Sequence, residues 1–140
     1  MTVTSIQTVF PSGIAYGQIE EVSTTEVTTK NSPLLNTELI VRSYFEDIPV
    51  MIQIARCESG FRHTLEDGSV LRGAVDSADT GVMQINKRFH DRKATTMNLD
   101  LDDIYNNMAY ARHLYETQGT RPWSASATCW SNQSLAMNNI

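Results

Sequence analysis

Glu58 is the residue best placed to do chemistry in this chain. It closes an apolar stretch, Val50-Met51-Ile52-Gln53-Ile54-Ala55, and is followed by Ser59-Gly60-Phe61. A carboxylate at a helix C-terminus faces the negative end of the helix dipole, which disfavours its ionised form. Apolar neighbours push in the same direction, so the position suits a general acid that must hold its proton near neutral pH. Two further carboxylates, Asp76 and Asp79, sit in a downstream loop, where they suit ordinary turns and also offer a second acid or base. Cys57 and Cys129 with three scattered histidines do not make the closely spaced ligand set of a zinc site. A cysteine nucleophile needs a partnered histidine, and His63 has only its proximity to Cys57 to recommend it. No metal or cofactor is expected.

The elements that must position Glu58 are mostly helical. Asn36 or Thr37 caps a short helix, Glu38 to Phe45, and Asp47 caps a second with Pro49 in its first turn. In that second helix Val50, Met51 and Ile54 share an apolar face extended by Ala55, and Gly60 stops it. Phe61 to Thr80 reads as loop, with a turn at Glu66-Asp67-Gly68-Ser69 and short strands drawn from Val70, Leu71, Ala74 and Val75. Asn86 caps a helix from Lys87 to Thr96. Asp100 or Asp102 caps the longest one, which runs to about Thr117 with Ile104, Met108, Ala111, Leu114 and Tyr115 inward. Gly119 ends it, and a last short helix follows from Ser124 through Trp130. Residues 1–36 are rich in Thr, Ser and Val without a clear apolar face. They read as an N-terminal arm or linker ahead of a domain spanning 37–140.

Composition narrows the function classes. The 140 residues allow one domain with a modest core, at 41% hydrophobic and 19% charged. A formal net charge of -5 argues against nucleic acid, whose affinity rests on Lys and Arg neutralising phosphates. No stretch reaches the roughly 18 apolar residues of a membrane span. The start, Met1 to Thr8, lacks the basic and apolar regions of a secretory signal.

Glu58-Ser59 followed by Gly81-Val82-Met83-Gln84-Ile85-Asn86 resembles the lysozyme-like superfamily of goose-type lysozymes and lytic transglycosylases. The resemblance runs from about Asp47 to Trp130. It implies a mainly α fold of the α+β lysozyme type, a compact helical domain with a small β element beside a cleft. It further implies a peptidoglycan lytic transglycosylase that cleaves the β-1,4 bond between N-acetylmuramic acid and N-acetylglucosamine with Glu58 as the single catalytic group. In the family's Gly-Leu-Met-Gln turn the glycine lets backbone approach the sugar, the methionine lines the cleft floor and the glutamine contacts substrate. Those roles pass to Gly81, Met83 and Gln84. Ser59 is expected to bond the carboxylate, the substrate or its own helix backbone.

The stretch Gln84 to His90 is close to the goose-type pattern, but Asn86 stands where that pattern has an aspartate. Asn86 is kept as a substrate contact, which leaves Asp76 and Asp79 as candidate second carboxylates. The Ala-Tyr-Asn-Ala-Gly motif of many transglycosylases is missing. Thr117 to Trp123, with Cys129-Trp130 behind it, is instead similar to the C-terminal end of resuscitation-promoting factors. There a cysteine beside the catalytic glutamate is disulfide-bonded to one near the end, which implies a Cys57–Cys129 bond here. Tyr110 is a candidate to face the cleft and Trp123 to stack on a sugar, and core packing suits both equally.

The expected partner is the peptidoglycan glycan strand, met by a monomer unless the chain belongs to a larger assembly. The expected location is extracytoplasmic: secreted, in the cell envelope or associated with a virion. The alternatives are a goose-type muramidase, in which Asp76 or Asp79 positions water, and a cell-wall-binding or virion structural module without turnover.

Overall fold

The computed structural model describes residues 33–137, with side chains from 34 to 132. Five α-helices and a small antiparallel sheet make up the described chain, so the fold is mainly α with a small β element. Up to residue 32, the expected arm lies outside the described residues. Residues 33–36 belong to the first helix, α1 (Pro33–Tyr44), rather than to a linker. Pro33 starts that helix because its fixed φ suits a first turn in which no N–H is needed. Asn36 and Thr37, expected as caps, therefore sit inside α1.

α2 (Pro49–Ser59) is the central element, with Met51 to Ala55 all buried. Pro49 opens it as expected, but the residue at its N-cap is Ile48, and no side chain caps it. Asp47 is otherwise engaged: its two carboxylate oxygens each accept from Arg112 at 2.8 Å. Arg112 also donates to the Tyr44 carbonyl and lies over the Tyr44 and Phe45 rings. This bidentate pair engages both carboxylate oxygens and fastens the α1–α2 corner to the fourth helix. Gly60, left-handed at φ 61°, ends α2 as the sequence predicts.

The expected strands at Val70 to Val75 do not form. Val70 makes an isolated bridge to Thr64, Arg72 another to Thr80, and Val75 is fully solvent-exposed. The sheet instead pairs β1 (Asp79–Thr80) with β2 (Ile85–Asn86), Asp79 opposite Asn86 and Thr80 opposite Ile85. The Asp76 side chain accepts from the Ala78 amide, turning the chain before β1. Gly73 donates its N–H to the Asp79 carbonyl, and a Cβ at Gly73 would lie 2.4 Å from the Asp76 carbonyl oxygen. Only glycine lets these two parts of the loop close.

α3 (Lys87–Thr96) begins where the sequence predicts, with the Asn86 side chain accepting from the Arg88 amide. α4 (Ile104–Gln118) is capped by Asp103, not by Asp100 or Asp102. Asp102 is occupied by Arg72 at 3.1 Å and Lys87 at 3.0 Å, and Asp100 accepts from the Asp102 amide. Inward on α4 lie Met108, Ala111 and Leu114 as expected, joined by Asn107 and Tyr110, with Ile104 and Tyr115 half-buried at the edges. Gly119 stops the helix at φ 63°. The last helix is longer than expected and starts later: a 3-10 segment, Arg121–Ser126, leads into α5 (Ala127–Met137). Trp123, at φ -108° and ψ 23°, kinks the helical path inside the 3-10 segment.

One core joins these elements, with Met51, Ile54, Val82, Met83, Met108 and Trp123 among its members. α2 packs chiefly on α5, and Cys57 is disulfide-bonded to Cys129 across that contact.

Candidate active site

Glu58 stands at the end of α2 and opens into a cavity of about 160 Å³ with Asp79, Gln84, Asn86, His90 and Trp123 among its walls. Ligand pockets that swallow a small molecule whole run from roughly 300 Å³ upward. Among the described residues no Lys or Arg lines the Glu58 cavity.

The carboxyl of Glu58 is half-buried, and that burial raises its pKa above the ordinary glutamate value. The hydroxyl of Ser126, on the 3-10 segment, donates to Oε1 at 2.5 Å and works in the opposite direction by favouring the ionised form. The negative charge of Asp79 adds to the upward shift. Burial wins, so the proton is held more tightly than on a solvated glutamate. Removing the opposing contact has a defined sign. In Ser126→Ala the Glu58 pKa rises further, so any rate that requires protonated Glu58 persists to higher pH than in the wild type. A pH–rate profile comparing the two proteins measures this shift.

Asp79 and Asp76 are separated by their surroundings. The Asn86 amide nitrogen donates to both, at 2.8 Å to Asp79 and 3.0 Å to Asp76. Asp79 faces the Glu58 cavity. Asp76 is not among its walls; it accepts from the Ala78 amide and Asn86 and pairs with Arg88 at 2.8 Å, interactions that lower its pKa. Asp76 is thus a turn residue, and Asn86 is the strut that holds Asp79 at the cavity.

The Gly81 to Gln84 turn is built against α4. Asn107 is fully buried: its side chain accepts from the Met83 amide at 3.0 Å and donates to the carbonyls of Thr80 and Leu101. His63 is buried beside it. Its Nδ1 accepts from the Val82 amide, so the ring proton lies on Nε2, which donates to the Asp102 carbonyl at 2.8 Å. Gly81 is packed against this pair: an added Cβ would lie 2.6 Å from Asn107 Nδ2 and 2.7 Å from His63 Cε1, at φ 72°. Glycine is needed here for packing rather than to admit a sugar.

Gly81→Ala meets both the clash and the disfavoured φ and should cost at least about 2 kcal/mol. Gly60→Ala, at φ 61° but in open space, should cost only about 1 kcal/mol. Denaturant unfolding of the two variants measures the difference.

The other expected site residues divide in the same way. Gln84 lines the cavity, but its side-chain amide donates to the Gly81 carbonyl, which leaves its oxygen for a ligand. Met83 is fully buried and belongs to the core beneath the cleft rather than to its floor. The Met83 carbonyl accepts from the Trp123 indole at 3.0 Å, so Trp123, only 3% exposed, is a wall and not a free stacking platform. Tyr110 is 1% exposed and reaches the cavity only through His90, whose Nδ1 lies 3.1 Å from the Tyr110 hydroxyl. Burial lowers the His90 pKa. The Ser59 hydroxyl donates to the Ala55 carbonyl of its own helix, not to Glu58.

Ser126 and His90 escape the sequence reading as site residues. His90 lies one helical turn beyond Asn86, on the same side of α3, and that spacing is a usable signal. Ser126 lies one turn before Cys129, so following the disulfide back to Cys57 would have brought it to Glu58. No protein-family model, curated protein or solved structure matches the chain.

Proposed function

We propose that this chain is a peptidoglycan-cleaving glycosidase, a lytic transglycosylase acting on the bond between N-acetylmuramic acid and N-acetylglucosamine. The observation that carries the reading is Glu58: a half-buried carboxyl with a raised pKa, facing a cleft that no Lys or Arg among the described residues lines. Glycosidic cleavage needs such an acid to protonate the leaving oxygen as positive charge develops at the sugar. The same carboxylate then takes the proton of the muramyl 6-hydroxyl, whose oxygen closes on the anomeric carbon. The acid is regenerated and the product ends in an anhydro sugar. The sequence resemblance supplies the substrate class. The Cys57–Cys129 disulfide suits an oxidising, extracytoplasmic setting, and among the described residues no helix is long and apolar enough to cross a membrane.

One observation favours a second reading, a muramidase. Asp79 shares the cavity with Glu58 and is held there by Asn86, where it would position a water. The products decide between the two. Mass analysis of digested cell walls is expected to show anhydromuramyl ends, with Asp79→Asn close to wild-type activity. Reducing ends, together with a large loss in Asp79→Asn, assign the muramidase. Cell walls that keep their turbidity assign a binding or structural module.

A further inference from the structure

We propose that the outward face of α3 is a second contact region for the same polymer, one that receives the carboxylates of the peptide stems attached to the glycan. This inference rests on the functional reading above and names the part of the substrate that the cleft itself does not hold.

The chain carries a net charge of -5, yet Lys87, Arg88, Arg92 and Lys93 are gathered on one helix whose single acid is Asp91. Lys87 is paired with Asp102 and Arg88 with Asp76. Arg92 and Lys93 are exposed, and among the described residues neither forms an ion pair. Phe89, 76% exposed, stands among them rather than in the core.

This arrangement is poor for the helix alone. Lys87 and Arg88 occupy the first turn, at the positive end of the dipole, and Arg88 and Arg92 are like charges one turn apart. Local conflicts of this kind are expected where a surface serves a ligand. The face is also continuous with the cleft. His90 lines the Glu58 cavity, Lys93 follows it one turn later, and Phe89 and Arg92 neighbour Lys93 around the helix.

A muramyl unit in the cleft carries its stem on the lactyl group, projecting away from the sugar ring. Stem peptides bear free carboxylates and small apolar side chains. Guanidinium and ammonium groups match the carboxylates, and the exposed phenyl ring covers the apolar part. The cleft, which no Lys or Arg among the described residues lines, would not supply that recognition.

The test compares wild type with Arg92→Gln/Lys93→Gln on two soluble substrates: un-crosslinked glycan strands with stems intact, and the same strands stripped of stems by an amidase. On stem-bearing strands the variant's KM should rise roughly 5- to 10-fold with kcat unchanged, as expected for two exposed charge pairs. The difference should vanish at about 0.5 M salt. On stripped strands the two proteins should behave alike. A variant indistinguishable from wild type on stem-bearing strands, or equally weakened on both, overturns the inference while leaving the functional reading in place. Equal KM values with wild type alone sedimenting on anionic phospholipid vesicles would assign the face to a membrane and also overturn it. Wild-type protein that cleaves neither substrate overturns the functional reading, and this inference falls with it.

Discussion

Glu58→Gln is expected to lower glycan cleavage by roughly 100- to 10,000-fold, the usual worth of a positioned general acid–base group. Glutamine keeps the size of the side chain and can still accept from the Ser126 hydroxyl, so folding and glycan binding should persist. Stability should move in a pH-dependent way that a solvated glutamate would not show. Glu58 has a raised pKa in the folded protein, so between its unfolded and folded pKa values the folded state binds more protons than the unfolded one. Stability is therefore lost as pH rises through that window. The Gln variant escapes this loss and should melt higher than wild type at neutral and alkaline pH. The advantage should disappear below the ordinary glutamate range. Thermal melts at several pH values, run beside turbidity assays, check both halves. Retained activity in Glu58→Gln overturns the assignment of the site.

Removing the Cys57–Cys129 bond should have the largest effect on stability. The bridge spans a sequence separation of 72 residues, and closing a loop of that length stabilises by about 4 kcal/mol in the chain-entropy model. Domain stabilities are typically about 5–15 kcal/mol, so the loss is a large fraction of the total. Cys57→Ala/Cys129→Ala is expected to unfold at much lower denaturant concentration than the oxidised wild type. Reduced wild type should follow the variant. Cys57 precedes Glu58, and Cys129 lies one turn after Ser126, so the hydrogen bond between Glu58 and Ser126 should loosen along with the fold. A double variant as stable as oxidised wild type shows that α2 and α5 are held by packing alone.

Much of the helical plan was legible because its signals are local. Asn86 caps α3 from the adjacent position, and Gly60 and Gly119 end α2 and α4 through their own backbone conformations. The misses share a cause. Asp100, Asp102 and Asp103 are equally good caps in isolation, and the choice among them is made by Arg72 and Lys87, which claim Asp102. Asp47 is lost as a cap to Arg112, a partner 65 residues away. The same limit governs the site. Glu58 is singled out by its motif, whereas the hydroxyl that opposes its protonation lies 68 residues downstream. Of the two candidate second carboxylates, the sequence could not choose. The choice depends on the Ala78 amide and Arg88, which hold Asp76 in a turn, and on Asn86, which holds Asp79 at the cavity.

The backbone at Met83 sets an order in time. Its N–H is bonded to Asn107 of α4, and its carbonyl to the indole of Trp123. On a ribosome the chain appears from the N-terminus at about 5–20 residues per second. Glu58 and the Gly81–Gln84 turn therefore emerge seconds before the side chains that anchor the turn, wall the cleft and bond the carboxyl. A nascent chain carries the acid without the cavity that makes it one. Under the glycosidase reading, a working site exists only after residues 123 to 126 have been made.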